Sequence, residues 1–336
     1  MNKKITIVFL AVIIAALGVV IGLIIYKNNN SQTVGEVETY GASADGVTEK
    51  WQEGVITYNG KEYKFNNKLK TYLFMGIDKM GIVEKGVDYH DGGQSDAMFL
   101  LVVNEEKQKI SIVAIPRNSM VMVDEYYENG EFYQQREMQI CLAHAYGDAG
   151  RLSCNRAQEA VSRMFYQLPI NGYFSINMGA VPIVNSTVDG VTLTAIEDVV
   201  TGNTNIKTGD TVTLTDQQAY DYVHYRKMEF GGANLRLDRE TQYMNAYIDK
   251  LLDMVNTKGK SFLVTKYQEM EPYVVTNLDF VDFINRVSGF DYNSEDLDTV
   301  PGHLEEGQFD EYYIDKDAFY QMILDIWYLE LSAGDS

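Results

Sequence analysis

Arg226, Lys227, Arg236 and Arg239 fall within fourteen residues of a chain whose formal net charge is −20. Guanidinium groups present planar forks of donors matched to phosphate oxygens, so this concentration in an acidic protein marks a candidate anion site. For any single arginine an exposed helix end is the commoner explanation. The spacing favours a site. Gly231 and Gly232 permit a tight turn between the two cationic groups, and Arg236 and Arg239 share one face if that stretch is helical. Three further charges, Asp78, Asp96 and Arg117, stand at the edges of apolar runs. Two carboxylates facing several guanidiniums suit a pyrophosphate. Carboxylates hold Mg2+, which takes one or two of them plus phosphate oxygens, and arginines spread the charge that builds on a phosphoryl group. No Ser-His-Asp set, Walker A loop or dinucleotide glycine fingerprint occurs in a fitting context. Phosphoryl transfer or phosphate-lipid binding is the chemistry expected.

The elements that must position these residues alternate between strand and helix, which places the chain in the α/β class. Residues 72–77 (YLFMGI) form a continuous apolar run ending at Asp78, the pattern of a strand buried on both faces. Ser95-Asp96 opens a second such strand over 97–103, and a third over 110–115 ends at Pro116-Arg117-Asn118. Ligands bind beyond strand ends in sheets of this kind. Residues 56–65 read as a hairpin turning at Asn59-Gly60. Helices are expected over 152–168, 179–188, 264–275 and 316–329, and strands over 173–177, 191–196 and 312–314. Thr215, with Gln218 three residues later, forms a capping box that starts the helix delivering Arg226. A longer helix begins near Leu237. His144 has no second histidine nearby and reads as structural.

Composition bounds the rest. The chain has 336 residues, 46% hydrophobic and 23% charged, enough for a large core and too apolar for disorder. Its acidity argues against a nucleic-acid partner. Residues 5–26 carry no charge over twenty-two positions, long enough to span a membrane, with Lys3 and Lys4 on the cytoplasmic side. The expected organisation is a cytoplasmic tail (1–4), a transmembrane anchor (5–26), an extracellular stalk (27–55) and an extracellular domain (56–336). The chemistry-bearing core covers 72–253, followed by an acidic extension, 254–336. Outside the membrane, Cys141 and Cys154 are expected to form a disulfide, with two buried thiols as the alternative.

The order GID at 76–78, SDAM at 95–98, IPRN at 115–118, AHAYG at 143–147, DGV at 189–191 and YRK…LRLDRETQ over 225–242 resembles the LytR-CpsA-Psr family. The resemblance implies an α-β-α sandwich around a central mixed sheet, with a hydrophobic channel for a prenyl tail. It implies transfer of a glycopolymer, a wall teichoic acid or capsule polymer, from an undecaprenyl-pyrophosphate carrier to peptidoglycan outside a Gram-positive membrane. Asp78 and Asp96 would hold Mg2+. Arg117, Arg226, Arg236 and Arg239, with Lys227, would hold the pyrophosphate and, together with Asp96, carry the catalysis. The chain departs from the family pattern at Gln94, Asn118, His224 and Glu240. Those four departures motivate the alternative of a non-catalytic member that binds polyprenyl phosphate or wall polymer in a regulatory or scaffolding role.

Overall fold

The computed structural model describes residues 55–84, 92–226, 232–258, 266, 268–278, 283, 297–306 and 309–331. The expected anchor, most of the stalk, Lys227 and Gly231 lie outside the described residues. Among the described residues no helix is long and apolar enough to cross a membrane.

In chain order the strands are β1 (Val55–Tyr58), β2 (Lys61–Phe65), β3 (Leu69–Ile77), β4 (Ser95–Asn104), β5 (Lys109–Ala114), β6 (Met120–Tyr126) and β7 (Phe132–Gln139). Helix α1 (Arg151–Met164), β8 (Gly172–Asn177), α2 (Val181–Thr187) and β9 (Thr192–Thr194) follow. Then come β10 (Val199–Val200), β11 (Asn205–Ile206), β12 (Thr211–Thr213), α3 (Asp216–His224) and α4 (Gly232–Lys258). The last elements are β13 (Val274–Thr276), β14 (Leu297–Thr299), β15 (Gly302–Glu306), β16 (Asp310–Ile314), α5 (Lys316–Trp327) and β17 (Tyr328–Leu331).

Among the described residues, six strands make the central sheet in the order β13-β8-β3-β4-β5-β14. It is mixed: β3 pairs antiparallel with β4 and parallel with β8, and β14 runs parallel to β5. Because side chains alternate along a strand, each central strand feeds two cores. Leu73, Met75 and Ile77 of β3 and Met98, Leu100 and Val102 of β4 enter one; Tyr72, Leu101 and Val103 enter the other. Helices α1 and α5 cover the first face, where the Phe165 ring stands edge-on to Phe319 at 4.8 Å and to Trp327 at 5.7 Å. Helices α2, α3 and α4 cover the second through Val184, Val223, Tyr243 and Leu251. This is the α-β-α sandwich expected.

Four local expectations change. Helix α4 begins at Gly232, not near Leu237, because a glycine at a helix's first position escapes most of the cost it carries in the interior. The helix expected to reach Val275 instead gives a 3-10 turn at Glu271–Tyr273 and then β13. Pro272 and the β-branched Val274 and Val275 explain the switch. The β6–β7 ribbon was not anticipated, because β7 is exposed on both faces over most of its length and shows no alternation. Finally, Cys141 and Cys154 are buried free thiols rather than a disulfide. Their sulfurs face different partners: Cys141 Sγ accepts from Arg117 at 3.0 Å, and Cys154 Sγ lies 3.8 Å from His144 Nε2.

Candidate functional site

The site is set by an irregularity in the β3–β4 pairing. Gly76 opposes Ala97, but Ile77 opposes Ser95, so Asp96 is the extra residue of a bulge. Bulges re-aim a side chain. Here the turn sends the Asp96 carboxylate inward, where it is buried. Its Oδ2 accepts from Arg236 Nη1 at 2.7 Å, and its Oδ1 lies 3.1 Å from Arg117 Nε without hydrogen-bond geometry. Space opposite the bulge is tight, since a Cβ at Gly76 would stand 3.2 Å from that of Ala97.

Arg117 leaves the end of β5 and is held from both sides. Its Nη2 donates to Gln94 Oε1 and to Cys141 Sγ. Arg236 comes from the first turns of α4 and is buried, with Nη2 unpartnered. One turn further, Glu240 places Oε1 at 3.7 Å from Arg236 Nε. Neither Glu240 oxygen has a hydrogen-bond partner. Burial first, with Asp96 adding to it, pushes the Glu240 carboxyl up to about 8 despite Arg236, Arg239 and Arg117 nearby. At neutral pH it is a neutral acid.

Glu240 also lines a cavity of about 240 Å³ between the second sheet face and helices α2 and α4. Phe74, Phe99, Phe174, Val184 and Tyr247 make much of its wall. A charged cluster and an apolar chamber therefore share one side chain. Such a junction suits a ligand with an anionic head and an apolar tail.

The other predicted residues fall at graded distances from this centre. Arg226 lies beyond the end of α3, where Nη2 is 3.8 Å from Asp310 Oδ2 and Nε is unpartnered. Between this pair and Arg117 stands Gln139, whose Nε2 donates to Asp310 O at 2.7 Å and whose Oε1 is 4.0 Å from Cys141 Sγ. Arg239 has a different place. It is 0% exposed and pairs with Glu197, while donating to the carbonyls of Tyr222, at 2.9 Å, and Tyr225. It locks the α3–α4 junction. His224 is exposed and stacks on Tyr220, centroids 5.0 Å apart. His144, as expected, is structural: buried, bonded to Gly93 O at 3.0 Å, and pushed down by burial to about 4. Glu197, Asp310, Gln139 and Cys141 were missed. Nothing in their local pattern marks them, since Glu197, Asp310 and Cys141 meet arginines distant in the chain and Gln139 meets Asp310.

Asp78 stands at the open side of the cluster, with Oδ1 accepting from the Gln94 amide at 2.7 Å. Although the residue is exposed, its carboxyl loses enough hydration to be raised; the Gln94 hydrogen bond opposes this and neighbouring Asp96 adds to it. Among the described residues no group of three or more His, Cys, Asp or Glu could hold a metal ion. A Mg2+ that keeps waters needs fewer protein ligands. Asp78 and Asp96 Oδ1 are the oxygens such an ion would take: Asp96 helps raise the Asp78 carboxyl, so a cation between them would relieve that repulsion, in competition with Arg117 Nε at 3.1 Å from Asp96 Oδ1.

The class defined by these features is an α-β-α sandwich that sets a buried guanidinium–carboxylate cluster at the mouth of an apolar chamber. The chain belongs to the LytR_cpsA_psr family, whose model matches residues 30–323. The polyisoprenyl-teichoic acid–peptidoglycan teichoic acid transferase TagU of Oceanobacillus iheyensis is 29% identical over 187 residues, 53% of this chain and 53% of that protein. The chain thus spans about half the length of this relative. TagV of Bacillus subtilis, named for the same reaction, is 25% identical over 317 residues, 90% of this chain and 73% of TagV. The crystal structure of B. subtilis TagV shares the fold, with a TM-score of 0.58 at 22% identity over 78% of this chain and 96% of that one.

Proposed function

We propose that this chain is a membrane-anchored, extracellular phosphotransferase that moves a glycopolymer from an undecaprenyl-pyrophosphate carrier to peptidoglycan. The names of its relatives supply the reaction class. The observation that carries the reading is the junction at Glu240, where the Asp96–Arg117–Arg236 cluster meets the apolar cavity. The start of the prenyl tail enters the chamber. The pyrophosphate takes the unpartnered donors, Arg236 Nη2 and Arg226 Nε. A wall hydroxyl attacks the polymer-bearing phosphorus. A new P–O bond forms, the pyrophosphate P–O bond breaks, polyprenyl phosphate leaves, and the hydroxyl proton passes to water. Arg117 and Arg236 stabilise the charge that develops on the transferred group. Asp78 and Asp96 would hold Mg2+, which supplies charge neutralisation at the phosphates.

The test is transfer of labelled polymer from a polyprenyl-pyrophosphate donor to peptidoglycan by the full chain in detergent. Label is expected in the wall with Mg2+, and little with chelator or with Arg236→Ala. A wild-type chain that neither binds nor processes the donor sinks the proposal.

A second reading follows from one observation. Asp96 is already neutralised by two guanidiniums, and Glu240 adds a carboxyl beside them. A chain that retained the donor without forming product would be a binding member of the family.

A further inference from the structure

Away from the cluster, the β6–β7 ribbon ends in a built aromatic surface. Tyr127, Phe132 and Tyr133 are 50%, 58% and 51% exposed. Tyr127 and Tyr133 pack together with ring centroids 4.8 Å apart. The turn between the strands is rigid: Gly130 N donates to Tyr127 O at 2.9 Å, Asn129 Oδ1 accepts from Glu131 N at 3.0 Å, and Asn129 Nδ2 donates to Glu131 Oε2 at 2.9 Å. An open, shallow depression at this tip is lined by Tyr126, Tyr127, Glu128, Asn129 and Glu131.

Cross-strand aromatic pairs stabilise hairpins, and Tyr126 is used that way, edge-on to Phe132 at 6.0 Å, with the Arg156 guanidinium from α1 3.3 Å from its ring centroid. Hairpin stability does not explain why Tyr127 and Tyr133 keep about half their surface open. Ring faces beside carboxylate and amide groups match a sugar, whose C–H face stacks on an aromatic ring and whose hydroxyls donate to carboxylates. Glu128 and Glu131 at the tip oppose an anionic lipid surface or a phosphate-bearing polymer. A neutral glycan carries no such penalty.

The ribbon's roots reach the cluster. β6 starts three residues after Arg117, and β7 ends at Gln139, two residues before Cys141. The tip stands ~23 Å out along seven strand residues. We propose that this tip is a carbohydrate platform that docks a neutral N-acetylhexosamine strand by stacking on Tyr127 and Tyr133 and by hydrogen bonds to Glu128 and Glu131. The choice of N-acetylhexosamine rests on the transfer reading; the stacking surface does not.

The experiment uses the full chain in lipid nanodiscs, labelled with fluorotyrosine and titrated with the soluble β-1,4-linked tetramer of N-acetylglucosamine. Resonances of Tyr127 and Tyr133 are expected to shift with the sugar. Tyr127→Ser with Tyr133→Ser should weaken binding by about tenfold or more. Because that double variant could loosen the ribbon, Tyr127→Trp is made beside it. This variant keeps and enlarges the stacking face and should bind at least as tightly. Three outcomes overturn the platform: no shift with sugar, equal affinity in the double serine variant, or broadening of these resonances by spin-labelled lipid in place of a sugar response. Donor-lipid binding measured on the same preparation separates the two readings. Sugar failing while lipid binds removes only the platform, and lipid failing while sugar binds removes only the transfer.

Discussion

Replacing Glu240 by glutamine should stabilise the folded chain by an amount that grows with pH. Glu240 is 8% exposed, both its oxygens lack hydrogen bonds, and Arg236 Nε at 3.7 Å is too far to supply one. Burial, aided by Asp96, raises its carboxyl from 4.5 to about 8. Below the lower value both folded and unfolded chains hold the proton, and Glu240 carries no ionisation cost. Between the two values the unfolded chain gives the proton up while the folded one keeps it. Folding stability then falls by ~1.36 kcal/mol per pH unit. Above the upper value both states are ionised and the loss levels off, at up to ~5 kcal/mol. Glutamine has nearly the same shape and no charge, so it escapes this loss. The assay is thermal unfolding of both proteins from about pH 4 to about pH 9. The variant's advantage should be near zero at the acid end, rise to roughly 10 °C, and then level off. A difference that stays constant across this range would refute the reasoning, because no proton would then be linked to folding at this position.

Arg239→Ala should cost ~3–5 kcal/mol in denaturant unfolding, because it strands the buried Glu197 carboxylate. Lipid-phosphate binding per folded molecule should survive it, whereas Arg236→Ala should lose that binding. Val184→Phe should fill the cavity beneath α2 and weaken a long-tailed polyprenyl phosphate by about tenfold. It should leave a short-chain analogue unchanged, with both affinities read by calorimetry.

Much of the fold is local in origin and was legible for that reason. The apolar runs at 72–77, 97–103 and 110–115 sit inside β3, β4 and β5. The Thr215 box is present, with Thr215 Oγ1 accepting from Gln218 N and Gln218 Oε1 accepting from Thr215 N. Asp96 and Arg117 could be picked out because they stand at the edges of apolar runs. The bulge that aims Asp96 inward could not, since it is a property of the pairing between two strands. Arg236 and Arg239 show the limit best. They are three residues apart on one helix, yet one meets Asp96 and the other Glu197. Which carboxylate waits on each side is decided by β4 and by the loop before β10, both remote in the chain.

The charge balance links the unusual glutamic acid to the cation. Among the described residues, the guanidiniums of Arg117, Arg226, Arg236 and Arg239 are set among the carboxylates of Asp78, Asp96, Glu197 and Asp310, with Lys79 beside Asp78. Guanidiniums already paired with carboxylates have less charge to spare for a pyrophosphate, and a buried excess of anion is costly. Two things reduce that excess. A divalent cation held between Asp78 and Asp96, as proposed, would add positive charge, and Glu240 keeping its proton withholds a further negative one. A protonated carboxyl also gains a donor, so at neutral pH Glu240 can give a phosphate oxygen the kind of hydrogen bond an amide would give. The departure at Glu240 is therefore compatible with an anion site below the pH at which it ionises. Above that pH, the same side chain would oppose the head group that Arg236 attracts.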